Sequence, residues 1–122
     1  MFNRKRKCKN PDCRIEFDPI NPKADCHNKS CNNRMNHLIR MAKKLGIKSQ
    51  ELIWNYVIMR SCYDQRRITQ HGDYLEELGV NFNAFPPPVP FKPGDPPSVL
   101  VAGDLGLVLI KDKLFRIVKK TN

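Results

Sequence analysis

Four of the chain's five cysteines form two pairs, Cys8-x4-Cys13 and Cys26-x4-Cys31, with twelve residues between the pairs. Zn²⁺ takes four soft or borderline ligands in a tetrahedron, and two short cysteine pairs across a loop supply them. Such pairs usually enclose about two to four residues, so both stand at the upper limit. Asn10-Pro11-Asp12 and His27-Asn28-Lys29 supply turn-forming residues inside them. The spacing predicts one Zn²⁺ held by Cys8, Cys13, Cys26 and Cys31. The competing reading is two disulfides or four unrelated thiols. His27 is a further candidate ligand in place of a cysteine, and reads more simply as a turn residue or a donor to the site.

A complete set of four thiolates leaves no open position for substrate or an activated water. The metal is therefore expected to be structural and the chain non-enzymatic. Metal-dependent nuclease chemistry would need a general-base histidine and a partly open ion. The histidines, His27, His37 and His71, form no paired ligand motif. Cys62 stands alone among apolar residues and reads as a buried free thiol.

Charge is concentrated in the same part of the chain. Residues 1–48 carry 13 Lys/Arg against 4 Asp/Glu, whereas residues 49–122 carry 9 against 8, within a formal net charge of +10. A field of that sign attracts phosphate backbones, acidic protein surfaces or anionic lipid. No run approaches the roughly 18–20 apolar residues of a membrane span. The N-terminal MFNRKRKCKN has no apolar core of a secretory signal. A cytoplasmic, reducing setting is expected, where clustered cysteines act as metal ligands; a virion is the other setting.

The segment RKCKNPDCRIEFDPINPKADCHNKSCNNRMN resembles the short treble-clef-type zinc modules of many small bacterial and phage proteins, accessory recombination proteins of temperate phages among them. Those modules read Cys-Cys, then Phe-x-Pro, then Cys-Ser-x-x-Cys leading into a helix. The matching residues are Cys8, Cys13, Phe17, Pro19, Cys26 and Cys31, with Arg34 early in the following helix. The chain departs in two respects: each pair is longer than usual, and His27 stands in the place of the usual Ser. The resemblance implies a treble-clef or zinc-ribbon-like module and lends no activity. A fainter similarity, to small bacterial proteins that follow such a module with a long helix, a segment like DYLEELGVNFNAF and a short sheet, extends over most of the chain.

The elements that must position these residues are legible in the pattern. Residues 1–7 form a basic arm, and residues 8–46 the zinc module with its helix. Met35, Leu38, Ile39, Ala42 and Leu45 mark one face of a helix over about 32–45, which Gly46 ends. Within the helical segment 47–85, Ser49 is predicted to cap a second helix running to about Gln70, apolar almost all round in its first half and so enclosed by the fold. Asp73 is expected to cap a short helix over 74–78 that Gly79 stops. Trp54 reads as a core anchor, and Phe82 and Phe85 as a hydrophobic clasp. Residues 86–97 hold seven of the ten prolines and should run extended. Residues 98–122 alternate as a β-meander with turns at Gly103-Asp104 and near Asp112. The fold class is α+β: a zinc module, two main helices and a small C-terminal antiparallel sheet.

These features point to nucleic-acid binding, DNA or RNA, through phosphate contacts from Arg4, Lys5, Arg6, Lys7, Lys9, Arg14, Lys29, Arg34, Arg40, Lys43 and Lys44, with Asn32, Asn33 and Asn36 as further hydrogen-bonding groups. The alternative is a structural or adaptor subunit of a larger assembly, such as a virion, ribonucleoprotein or polymerase complex, whose partner is an acidic protein. A helix-turn-helix over LIRMAKKLGIKSQELIWNYV is less favoured, because its reading helix would expose Ile53, Trp54 and Tyr56. No membrane partner is expected.

Overall fold

A computed structural model describes residues 6–10, 13–17, 26, 28–88 and 99–120, with Arg6 described in its backbone only. It begins with a two-stranded hairpin, β1 (Arg6–Lys7) and β2 (Glu16–Phe17), in which Arg6 lies opposite Phe17 and Lys7 opposite Glu16. Two helices follow, α1 (Lys29–Lys44) and α2 (Gln50–Asp64). Next come β3 (Thr69–His71), α3 (Gly72–Leu78) and a 3₁₀ turn over Phe82–Ala84. Strands β4 (Leu100–Ala102), β5 (Leu105–Lys111) and β6 (Leu114–Lys119) close the chain, in an antiparallel sheet of order β3-β6-β5-β4.

Helix α2 is the centre of the molecule. Tyr56, Val57, Ile58 and Met59 are consecutive and fully buried, which a helix achieves only when neighbours cover every side. Leu38 and Ala42 of α1 cover one side; Leu105, Leu107 and Ile117 of the sheet and Leu75 and Leu78 of α3 cover the others. Phe82 and Phe85 are half-buried against this core, with the Phe82 ring 5.3 Å from that of Phe115, so they act as the clasp their spacing suggests. Cys62 is buried, as expected.

The three α-helices among the described residues end in the same way. In α1 the Gly46 N–H donates to Lys43 O and the Ile47 N–H to Ala42 O; in α3 Gly79 and Val80 repeat this with Glu76 and Leu75. In α2 Arg66 and Arg67 do so with Tyr63 and Cys62, although Arg66 is not a glycine and takes φ +61°. This corrects the predicted extent of α2: it stops at Asp64 rather than near Gln70, and Thr69–His71 become an edge strand on β6. α1 starts three residues earlier than predicted, because Asn28 accepts the Cys31 N–H as N-cap. His71, not Asp73, caps α3, its Nδ1 accepting the Asp73 N–H at 3.2 Å.

The meander folds as predicted and is pinned to the helices by its first turn. Gly103 has φ +62°, and a Cβ there would lie 3.0–3.3 Å from Leu45, Ile47 and Tyr56, so the turn backbone itself packs on the α1–α2 corner. The Asp112–Lys113 turn has positive φ at both residues, the type I′ geometry of tight hairpins. The proline run falls largely outside the described residues. No described helix is long and apolar enough to cross a membrane.

Candidate metal centre and the adjoining groove

The hairpin extends one residue pair beyond its strands: the Cys8 N–H donates to Ile15 O at 2.7 Å. The chain then loops back so that the Cys13 and Arg14 N–H groups both donate to Asn10 O, at 3.0 and 3.2 Å, with Arg14 at φ +55°. This knuckle presents Cys8 and Cys13 from one tight turn. The third thiol comes from Cys31, in the first turn of α1, whose own N–H is held by Asn28 Oδ1 at 2.9 Å. The positive end of a helix favours negative charge on such a sulfur.

The Sγ atoms of Cys8, Cys13 and Cys31 lie within 4.8 Å of one another. A tetrahedron of sulfurs about 2.3 Å from one Zn²⁺ has edges of about 3.8 Å, so the trio can hold a metal ion with small side-chain movements. Cys8 is fully buried and Asn10 nearly so. Partial burial and a hydrogen bond with Cys13 push the Cys31 thiol up to about 12, against a hydrogen bond from Asn10 that pulls the other way. A dication among the sulfurs inverts that balance and displaces the thiol protons.

Cys26 is not part of this trio. Its thiol donates to Met35 Sδ at 3.3 Å, on the inner face of α1. His27 lies outside the described residues. Asn10, which the sequence marks only as a turn residue, is drawn into the site because the knuckle closes over it.

The cations expected to meet phosphate differ in their surroundings. Arg4 and Lys5 lie outside the described residues, and Arg6 is described in its backbone only; Lys7 ends β1, 3.8 Å from Glu77. Arg14 and Arg34 have structural partners: Arg14 Nη1 donates to Cys8 O at 3.3 Å, and Arg34 Nη2 lies 2.8 Å from Asp64 Oδ2, joining α1 to α2. Lys29, Arg40, Lys43 and Lys44 are exposed on α1, as are Asn32, Asn33, Asn36 and His37. At 100° per residue these eight fall on one side of the helix, opposite Met35, Leu38 and Ala42. The segment 29–48 contains no Asp or Glu.

Beside this face, between α1 and α2, lies a groove of about 530 Å³. Lys9, Asn32, Asn36, Gln50, Trp54 and Asn81 contribute to its wall, and Met35 to its floor. Trp54 is half-buried rather than a full core anchor, and Lys9 Nζ stands 5.1 Å from its ring centroid. Gly79 leaves room for the indole: a Cβ there would be 2.6 Å from Trp54 Nε1. The Asn81 side of the groove is fixed by Asn55, a fully buried amide that accepts the Asn81 N–H and donates to Asn81 O, both at 2.8 Å. Sequence patterning does not reveal this groove, because its walls come from four separate segments.

Comparison with protein-family profiles, with curated proteins and with solved structures returned no match to this chain.

Proposed function

We propose that this chain is a non-enzymatic, zinc-containing nucleic-acid-binding protein whose metal centre fixes the start of a basic helix. The observation that carries this reading is the exposed face of α1: four cations, three asparagines and no carboxylate, beginning at the turn that bears Cys31. A hairpin knuckle giving two thiols and a helix start giving a third agrees with the treble-clef-type resemblance. On this reading Cys8, Cys13 and Cys31 are ligands, and Cys26, two residues before the N-cap, is the fourth once an ion draws it from Met35. Four thiolates close the coordination sphere, which makes the metal structural. Phosphates then lie along Lys29, Arg40, Lys43 and Lys44, with Lys7, Lys9 and the basic residues before them adding to the field.

Replacing Arg40, Lys43 and Lys44 together by Gln tests this. The side chains are exposed, so the fold should persist. Affinity for a DNA or RNA oligonucleotide should fall, and the slope of log K against log salt should flatten by about two to three. Unchanged binding removes α1 from the interface.

A second reading, a subunit of a larger assembly in a cytoplasmic or virion setting, draws on β5, where Leu109 and Ile110 are 52% and 43% exposed. It is distinguished by co-purification with one defined acidic partner and poor binding of free oligonucleotides.

A further inference from the structure

The groove between α1 and α2 has the chemistry of a nucleobase pocket, and we infer that it holds one unstacked base of a single-stranded nucleic acid. This inference rests on the proposed nucleic-acid binding and names a subsite within it.

Three observations converge. The first is shape and size: about 530 Å³, within the roughly 300–1,000 Å³ usual for small-ligand sites, and lined by an aromatic ring. Trp54 contributes that ring, and stacking on an aromatic face is how bases are held once they leave their own stack. Lys9, exposed and resting over the ring, is a movable cover; when a base takes its place its ammonium is free to meet the adjoining phosphate.

The second is the kind of polar group at the wall. Asn32, Asn36 and Gln50 each offer an amide, with a donor and an acceptor side by side, as the edge of a base requires. Glu51 lies at the same wall and adds an acceptor for an exocyclic amine. A pocket for a phosphate alone would need cations where these neutral amides stand.

The third is position. Asn32 and Asn36 belong to the groove and to the acid-free face of α1 at once, so a strand whose phosphates follow Arg40 and Lys43 passes the groove mouth. The groove is also tied to the metal centre, since Lys9 follows Cys8, Asn32 follows Cys31, and Met35 meets the Cys26 thiol. The metal therefore holds two of the walls in place.

Trp54 is the only tryptophan in the chain, so its fluorescence reports on the groove without substitution. The intact, zinc-loaded protein is titrated with short single-stranded DNA and RNA, and with an abasic strand of the same length and charge. The base-bearing strands should quench Trp54 and bind roughly 5- to 150-fold more tightly than the abasic strand, the range that stacking on one ring supplies. Equal affinities, or binding that leaves the emission unchanged, would overturn the base pocket while leaving phosphate contact by α1 standing. Failure of every strand to bind would overturn both. Gln50→Leu, at an exposed position of the groove wall outside the basic face of α1, should lower affinity for the base-bearing strands about tenfold and leave the abasic strand untouched; loss on both alike counts against the pocket. A proline-rich peptide that quenches Trp54 where oligonucleotides do not would assign the groove to protein instead.

Discussion

Single side chains carry the chemistry here, and Cys26 and Asn55 show how differently they can do it. Cys26 reads from its spacing as the equal of the other three cysteines, yet its thiol engages Met35 while Cys8, Cys13 and Cys31 converge. The sequence pattern fixes which sulfurs are near one another along the chain, not which way each side chain turns. Cys31→Ser is expected to abolish stoichiometric metal, whereas Cys26→Ser should leave one ion per chain with weakened affinity, measured by competition with a chelator. Equal and complete loss in both would mean that the trio is insufficient. Asn55 gives no hint of its role within residues 52–59, a stretch of α2 that is otherwise apolar, because its partner is backbone 26 residues away. Asn55→Ala leaves the Asn81 N–H and C=O without their amide partner, and at about 1–2 kcal/mol for each, the lower part of the range for orphaned groups because Asn81 is itself exposed, should cost roughly 2–4 kcal/mol in denaturant unfolding.

At the scale of elements, patterning was informative where a single strong rule applied. The apolar stripe of α1, the all-round apolar run of α2, the glycines at 46 and 79 and the alternation of the meander each led to the observed element. It misled at residues 65–71, where no glycine or proline announces the end of α2. There Arg66 adopts the left-handed conformation that a glycine would take without strain. Arg66→Gly should therefore stabilise the chain by up to about 1 kcal/mol; a loss of stability would show that the Arg66 side chain contributes more than its backbone costs. The groove was beyond the reach of local reading for a related reason: Lys9, Asn32, Trp54 and Asn81 acquire common meaning only after the helices have packed.

For the whole molecule, the arrangement is a cysteine-bearing knuckle continuous with α1, resting on a body that has its own core around α2. Leu38 and Ala42 of α1 belong to that core, whereas the contacts of the hairpin with the body include exposed Lys7 with Glu77, Lys9 over Trp54, and the thiols of Cys8 and Cys13 beside Cys31. Exposed ion pairs contribute little, so on the proposed reading a metal held by the thiols supplies much of the order of the hairpin. Loss of metal is expected to release the knuckle and the first turn of α1 while α2 and the sheet persist. Amide hydrogen exchange should then show protection lost over residues 6–17 and retained in α2, β5 and β6. The functional proposal follows from the same division, since the basic face and the groove both begin where the knuckle meets α1.

The metal content of freshly purified, reduced protein tests this most directly. Elemental analysis should find one zinc per chain, removed by a strong chelator together with the ordered hairpin. A folded, reduced chain that contains no metal, takes up none and keeps the knuckle protected from exchange would contradict it.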